Sequence, residues 1–240
     1  MRFVLAALLV FAASAATGIG AASAEDDGPP PVDYPTLPAA VATRAELVPA
    51  GWTLEAEAYG DLDGDRRTDL AVVLQSEKPD LDPSAEPLAG PRMLVVAFGA
   101  RKGYQRITIN HQLIPRASSR FVEDYFDAES GALSIKRGTL TIKLHYFATM
   151  GGWGMWHNTY SFKWRKKEFV LSRYDHDYTH RAKGDTQRII ADYGARSVRV
   201  ITGNIHNDAT KTRKLKLPGP SRVTLEQVGD GMEFSPIPHE

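Results

Sequence analysis

The sequence predicts a mainly β fold, an antiparallel, strongly twisted sheet with blade-like hairpins of a partial or degenerate β-propeller kind, with a β-sandwich as the alternative. Short runs rich in β-branched and aromatic residues recur from Trp52 onward, separated by turns rich in Gly, Asp, Asn or Lys. In residues 140–146, apolar and polar side chains alternate. A strand with this pattern turns one face to a core and the other to water.

The N-terminus has the three parts of a secretory signal peptide. Arg2 precedes an apolar run over residues 3–13, and small residues end at 22–24, so cleavage is expected before Glu25. An uncleaved anchor is the alternative, because residues 3–24 carry no charge and are long enough to span a bilayer. The chain has no cysteine, which excludes disulfides and a lipidated N-terminal Cys. A periplasmic or secreted protein without stable membrane insertion is expected.

Composition divides the remaining chain into three parts. Residues 25–38 form a Pro-rich leader, residues 39–203 a β domain that begins with one short helix over 39–48, and residues 204–240 a basic, partly mobile tail with a terminal strand over 223–228. The other strands are predicted at residues 52–59, 70–74, 93–98, 104–109, 132–135, 140–147, 159–164, 169–174 and 198–201.

An Asp-rich loop between two predicted strands is the sharpest local motif. Asp61, Asp63, Asp65 and Asp69 occupy relative positions 1, 3, 5 and 9, and the backbone carbonyl of Arg67 is available at position 7. Calcium prefers such a set of oxygen ligands. Without a cation these carboxylates would repel one another. The alternative is a solvated turn in which the Asp side chains bond to their own backbone.

This loop and the strand over residues 70–74 resemble the FG-GAP or VCBS-type repeat of integrin-α-like β-propellers and many bacterial exported proteins. The resemblance covers residues 55–74 and implies a calcium ion with the four aspartates as side-chain ligands. Only one copy is found, and Arg66 stands where the repeat often has Gly. Together with residues 160–164 and 169–175, the loop also resembles a group of uncharacterised bacterial exported proteins, which implies one folded unit and no particular activity.

Residues 150–156 are rich in Gly, Met and Trp and are predicted to belong to a loop over 150–158. Trp153 and Trp156 could form a mobile aromatic platform, because flat Trp faces stack on sugars and other rings. The alternative is a hairpin loop whose two Trp rings fold back onto the sheet.

Residues 175–180 combine two carboxylates with two imidazoles. Asp175, His176, Asp177 and His180 are candidate ligands for zinc or another transition metal, or candidate acid–base groups. The segment is predicted to be a polar loop, in which this spacing guarantees no common face. An ordinary exposed loop is the alternative.

The sequence favours an exported, non-catalytic binding module with a structural calcium loop, whose partner is a protein or an envelope glycan. Catalysis is less favoured because the chain lacks a Gly-x-Ser-x-Gly elbow, a His-Glu-x-x-His motif and any Cys nucleophile. Nucleic acid is an unlikely partner outside the cytoplasm.

Two other functions stay open. One is an envelope hydrolase acting on a glycan or other polymer, in which the groups of residues 175–180 act and the Trp loop positions substrate. It requires the two segments to converge on one concave surface. The other is a polyanion-binding surface protein that attaches through the basic C-terminal half, where residues 91–240 hold 24 basic and 14 acidic side chains.

Overall fold

A computed structural model describes residues 32–77, 89–117 and 119–237, which belong to one compact unit. Its strands form two antiparallel sheets. The five-stranded sheet has the order β1-β5-β4-β3-β2 and consists of β1 (Ala40–Val41), β2 (Trp52–Gly60), β3 (Asp69–Ser76), β4 (Arg92–Gly99) and β5 (Tyr104–Asn110). The expected signal peptide, residues 1–24, lies outside the described residues.

The seven-stranded sheet follows chain order from one edge to the other, as β12-β11-β10-β9-β8-β7-β6. Consecutive strands therefore pair as hairpins, which is the simplest antiparallel arrangement. The strands are β6 (Leu133–Lys136), β7 (Thr139–Phe147), β8 (Gly154–Arg165), β9 (Glu168–His180), β10 (Asp185–Asp192), β11 (Ser197–Asn204) and β12 (Asn207–Lys216), followed by helix α1 (Leu225–Val228).

The main core contains residues of both sheets. Val73 and Val96 of the five-stranded sheet belong to the same apolar cluster as Ile142, Phe162 and Leu171 of the seven-stranded sheet. The predicted mainly β, antiparallel fold is thus confirmed. Two sheets that share one core match a sandwich-like arrangement of hairpins, and not a closed propeller.

The N-terminal segment covers the second face of the five-stranded sheet. Leu37, Val41 and Leu47 form a separate apolar cluster with Leu70 and Val95. This double coverage explains why β3 and β4 are almost continuously apolar.

The helix predicted over residues 39–48 is wrong in extent and type. Ala40–Val41 pairs with β5, and only Arg44–Leu47 forms a short 3₁₀ helix. Burial of Val41 against the sheet favours an extended backbone at this point over the helix that composition alone suggests.

The C-terminal part contributes more structure than the sequence predicted. The boundary at residue 203 falls inside β11, and β12 then adds an edge strand of mostly exposed residues. The strand expected over residues 223–228 is wrong, because Leu225–Val228 is a short helix capped by Thr224, whose Oγ1 accepts a hydrogen bond from Gln227 N. Across the described ranges, no helix is long and apolar enough to span a membrane.

Candidate functional site

The Asp-rich loop joins β2 to β3 and gathers three carboxylates. Ligand oxygens of Asp61, Asp63 and Asp65 lie within 4.8 Å of one another. The Asp61 carboxylate accepts hydrogen bonds from Gly64 N at 2.7 Å and from Arg66 N at 3.0 Å, so it also organises the turn. Arg66 has a φ of 68°, a left-handed conformation that favours glycine, at the position where the resembling repeat often has Gly.

Asp69 lies at the base of this loop and not in the three-carboxylate cluster. Its side chain is fully buried and accepts hydrogen bonds from Leu62 N at 2.6 Å and Gly99 N at 2.9 Å. Desolvation by burial raises the pKa of Asp69, and the two amide donors oppose this shift. The nearby charges of Asp63 and Asp65 raise the pKa of Asp69 further.

Arg67 neutralises one carboxylate of the cluster. Its Nε lies 2.6 Å from Asp65 Oδ2, and its backbone N donates to Asp65 Oδ1 at 2.7 Å. The side-chain pair is partly exposed, so its net contribution to stability is small. The cluster therefore has three carboxylates, of which Arg67 neutralises one, and carboxylate oxygens suit an oxygen-seeking divalent ion.

The prediction that residues 175–180 form a polar loop is wrong, because all six belong to strand β9. Alternation along the strand places Asp175 and Asp177 on one face and His176 and His180 on the other. Four residues of extended strand separate the two imidazoles by roughly 13 Å, too far for both to bind one metal ion. The carboxylates and the imidazoles therefore do not form one metal site.

The two aspartates form ion pairs on the outer face of the seven-stranded sheet. Asp175 is bonded by Arg173 at 2.5 Å and by Arg188 at 3.1 Å, and Arg188 also lies 3.2 Å from Asp177. These partners come from β9 itself and from β10, which pairs with it. The pairing accounts for both carboxylates structurally.

The two tryptophans of the predicted loop are in different environments. Trp153 belongs to the loop and is 61% exposed. Trp156 lies in β8, which begins at Gly154, so the predicted loop over 150–158 is too long. The Trp156 ring stacks on Tyr146 of β7 with a centroid distance of 3.8 Å, so one of the two Trp rings packs on the sheet, from a strand position.

Trp156 is part of a row of rings that crosses the strands on the inner face of the sheet. Tyr125 stacks on Tyr146, and Tyr178 of β9 follows Trp156 at 6.5 Å. Tyr178 is the last ring of this row and is tilted by 31° against Trp156. Glycine at position 154 makes room for it, since a Cβ there would lie 3.0 Å from Tyr178 Cε2.

A cleft of about 240 Å³ opens beside the end of this row. Its lining includes His176 and Ile189 together with the aromatic side chains of Trp156, Tyr178 and Phe234. The remaining lining residues are Asn158, Tyr174, Gln187, Met232, Glu233 and Ser235. This volume lies just below the range of about 300–1,000 Å³ typical for drug-sized ligands, so it suits a single ring.

A buried hydrogen-bond network orients His176. Asn158, 1% exposed, donates from Nδ2 to Gly231 O at 2.8 Å, so its Oδ1 is the acceptor for His176 Nδ1 at 2.7 Å. Tyr160 OH also donates to Gly231 O, at 2.6 Å. In the neutral imidazole, Nδ1 therefore carries the proton. This arrangement fixes the ring at the base of the cleft.

The segment over residues 230–235 forms the wall opposite β9. Gly231 N donates to Leu113 O at 3.2 Å, and a Cβ on Gly231 would lie 2.3 Å from that oxygen, so only glycine fits. Asp230 Oδ1 accepts a hydrogen bond from Met232 N at 2.7 Å. Desolvation raises the pKa of Asp230, and its hydrogen bond to Met232 opposes the shift.

We expect Asp230→Asn to stabilise the protein at neutral pH. The pKa of Asp230 is higher in the folded protein than in the unfolded chain, where it is about 4. The free energy of unfolding therefore falls as pH rises from about 4 through the pKa of the folded state. Asn keeps the acceptor for Met232 N without the charge. Urea unfolding between acid and neutral pH should show a difference that grows with pH; a difference independent of pH would contradict the assignment.

Two of the predicted site residues line the cleft, together with several residues that the sequence did not single out. Trp156 and His176 line one cleft, while Asp175 and Asp177 lie on the opposite face of the sheet and Trp153 and His180 are not among the lining residues. The missed lining residues include Asn158, Tyr174, Tyr178, Gln187 and Glu233. The alternation of the two sheet faces along β8 and β9 could have identified Asn158, Tyr174 and Tyr178.

A larger groove of about 680 Å³ lies on the other side of Phe234. Two of its polar side chains are engaged within the protein: Arg222 bonds Glu168, and Gln227 accepts from Thr224 N. The smaller cleft, with its aromatic walls and oriented imidazole, is the better candidate site. Comparison of the chain with protein-family models, curated proteins and solved structures finds no match in any of the three.

Proposed function

We propose that this protein is an exported, non-catalytic binding module that holds one ring of a glycan in the cleft between β9 and the 230–235 segment. The observation that carries the proposal is the end of the aromatic row at Tyr178, beside polar groups of Gln187 and Glu233. Sugar rings have an apolar face and a polar edge, which match an aromatic wall and a polar rim respectively.

The rigidity of the site supports binding. Each sheet residue of the cleft lies on a hydrogen-bonded strand, and the network through Asn158 ties the facing wall at Gly231 to β8. A site that is formed before the ligand arrives loses less conformational entropy on binding. The export signal and the absence of cysteine are consistent with a ligand of the bacterial envelope.

A structural calcium ion in the Asp-rich loop is the second part of the proposal. Asp61, Asp63 and Asp65 would hold the ion, and Asp69 supports the loop from below through two backbone amides. Bound calcium supplies charge that cancels carboxylate repulsion. It would hold β2 and β3 in register and stabilise the scaffold that carries the cleft.

A hydrolase is the second candidate, because His176 and Glu233 line the same cleft. Ser235 is the serine in the lining of the cleft. Its hydroxyl donates a hydrogen bond to Ile237 O at 2.6 Å. That hydrogen bond leaves the serine without the histidine contact that activates a nucleophile. The two carboxylates of β9 lie on the other face of the sheet, which favours binding over catalysis.

We expect Tyr178→Ala to weaken glycan binding about tenfold, which corresponds to about 1.4 kcal/mol, because it removes the terminal ring of the row from the cleft. Saturation-transfer NMR with methyl glycosides and envelope oligosaccharides should identify the ligand, and titration should then give the affinities. Thr179→Ala is the matched control, since the neighbouring side chain points to the opposite face of β9. Equal effects of the two substitutions would refute the site, and released sugar during the titration would favour the hydrolase.

A further inference from the structure

One end of the seven-stranded sheet carries most of the exposed large apolar side chains. Among the described residues, five such side chains are exposed, and four of them belong to this end: Phe121, Met150, Trp153 and Ile205. Their exposures are 36%, 63%, 61% and 60%. Single exposed apolar residues are ordinary, but a group of them usually marks an interaction surface.

The four residues come from segments that are joined to one another by backbone hydrogen bonds. We call these segments together the turn end: residues 119–122, 149–153, 181–184 and 205–206. Thr149 N donates to Phe121 O at 2.8 Å, and Arg181 N donates to Trp153 O at 2.7 Å. Ile205 N donates to Gly184 O at 2.8 Å. Strands β7 to β12 enter and leave these turns, so the turn end spans about 24 Å.

Arg181 holds the exposed loop in place. One guanidinium nitrogen, Nη2, donates to Ala148 O and to Gly152 O, both at 2.7 Å, and the group lies 4.3 Å above the Phe147 ring. The backbone that presents Met150 and Trp153 to solvent is therefore anchored on both sides.

The charges of the turn end all have one sign. Arg120 and Lys183 are exposed, Arg181 is half-buried, and within these four segments no described residue is acidic. The nearest carboxylates in sequence are Glu123, Asp185 and Asp208, and Asp185 accepts a hydrogen bond from Asn204. The four segments thus combine apolar side chains with cations, and the carboxylates of Glu123 and Asp185 directly flank them.

From this combination we infer that the turn end docks onto an anionic phospholipid bilayer. Trp153, Met150 and Ile205 enter the boundary between headgroups and acyl chains, where Trp is preferred. Arg120 and Lys183 belong to the same turns, are exposed, and would meet lipid phosphates. A protein partner fits less well, because interface cores are depleted of Lys, whereas here cations alternate with apolar residues from one turn to the next.

In the proposed orientation, only the side chains of the turns enter the bilayer. All the turns lie at the same end of antiparallel strands, and neighbouring turns are joined by the backbone hydrogen bonds given above. The cleft begins two residues inside the strand ends that adjoin the turns, at Trp156, Tyr178 and Gln187, and extends away from the turns along β8, β9 and β10. Membrane docking would therefore hold the binding site near the surface of the envelope without occupying it.

Vesicle pelleting tests the inference on the exported protein, purified from the compartment to which it is secreted, with its N-terminus sequenced. We expect binding to phosphatidylethanolamine vesicles that contain phosphatidylglycerol, and a loss of about tenfold or more in the double variant Met150→Ser, Trp153→Ser. Tyr59→Ser is the matched control, because Tyr59 is 45% exposed but lies on β2 of the other sheet.

The contribution of the cations to vesicle binding is measured separately, through its dependence on salt. Lys183→Ser should weaken binding about fivefold at low salt, and high salt should remove most of this difference. Lys216→Ser should have little effect, because it lies at the opposite end of β12.

Equal pelleting of wild type and the Met150, Trp153 double variant would overturn the inference, and so would failure of the wild type to bind anionic vesicles. A soluble oligomer that the double variant loses, without any vesicle binding, would assign the turn end to protein association instead. If the N-terminal segment remained uncleaved, it would bind all variants alike. Only protein whose sequenced N-terminus shows that this segment has been removed is therefore compared, so that equal pelleting reports on the turn end alone.

Discussion

Arg92→Met should lower the free energy of unfolding by about 3 kcal/mol, because it leaves two carboxylates facing each other without their shared cation. The Arg92 side chain is 1% exposed in β4. Its guanidinium donates to Glu55 at 2.6 and 2.7 Å and to Asp124 at 2.5 and 2.8 Å. Burial lowers the pKa of Arg92, but the hydrogen bonds to both carboxylates outweigh it and raise the pKa overall. Urea unfolding measures the loss.

Arg188→Met provides the matched control for this prediction. Arg188 also bonds two carboxylates, Asp175 and Asp177, but its side chain is 48% exposed. Solvent screening should limit the loss to at most about 1 kcal/mol. If the two substitutions cost the same, burial would not be what makes the Arg92 pairs important. A change in the denaturant slope would instead indicate an altered unfolded state.

The position of Arg92 connects stability with the candidate site. It joins β2, through Glu55, to the segment that contains Asp124. The next residue, Tyr125, begins the row of rings that ends at Tyr178 beside the cleft. We therefore expect Arg92→Met to broaden NMR signals of the aromatic row as well as to reduce stability.

The sequence predicted those strands whose own residues carry a strong pattern. β3 and β4 are apolar on both faces, and β7 alternates, so local composition was sufficient for them. β10 was missed because it begins with polar residues, Thr186 to Arg188, and becomes apolar only from Ile189. β12 was missed because its residues are mostly exposed and its extended backbone depends on pairing with β11.

The candidate site is built from residues that lie far apart in the sequence, and no local pattern shows which of them come together. Trp156 and His176 were singled out, but as members of two separate loops. Pairing of β8 with β9 aligns Trp156 with Tyr178 and Asn158 with His176. The opposite wall comes from Gly231, more than 70 residues beyond Asn158. The sequence therefore identified side chains of the cleft without the register that makes it concave.

Calcium should raise the free energy of unfolding by about 2.7 kcal/mol when present at 100 times its dissociation constant. The expected cause is the cluster of Asp61, Asp63 and Asp65, whose charges repel one another in the calcium-free protein. Arg67 offsets only part of this repulsion, through Asp65. Thermal or urea unfolding after chelation, with calcium or magnesium added back, measures the effect. Magnesium should act less, because it demands a smaller and more regular site.

The double variant Asp63→Ala, Asp65→Ala should lose the calcium response, whatever its stability without the ion. Asp127→Ala is the matched control: Asp127 also caps a turn, accepting from Glu129 N and Ser130 N, but stands alone. It should be less stable than wild type and yet keep the full response to calcium. No rise at millimolar calcium, or the same rise in the double variant, would refute the ion site. The carboxylates would then serve only to bond the turn's own amides, as Asp61 does with Gly64 N.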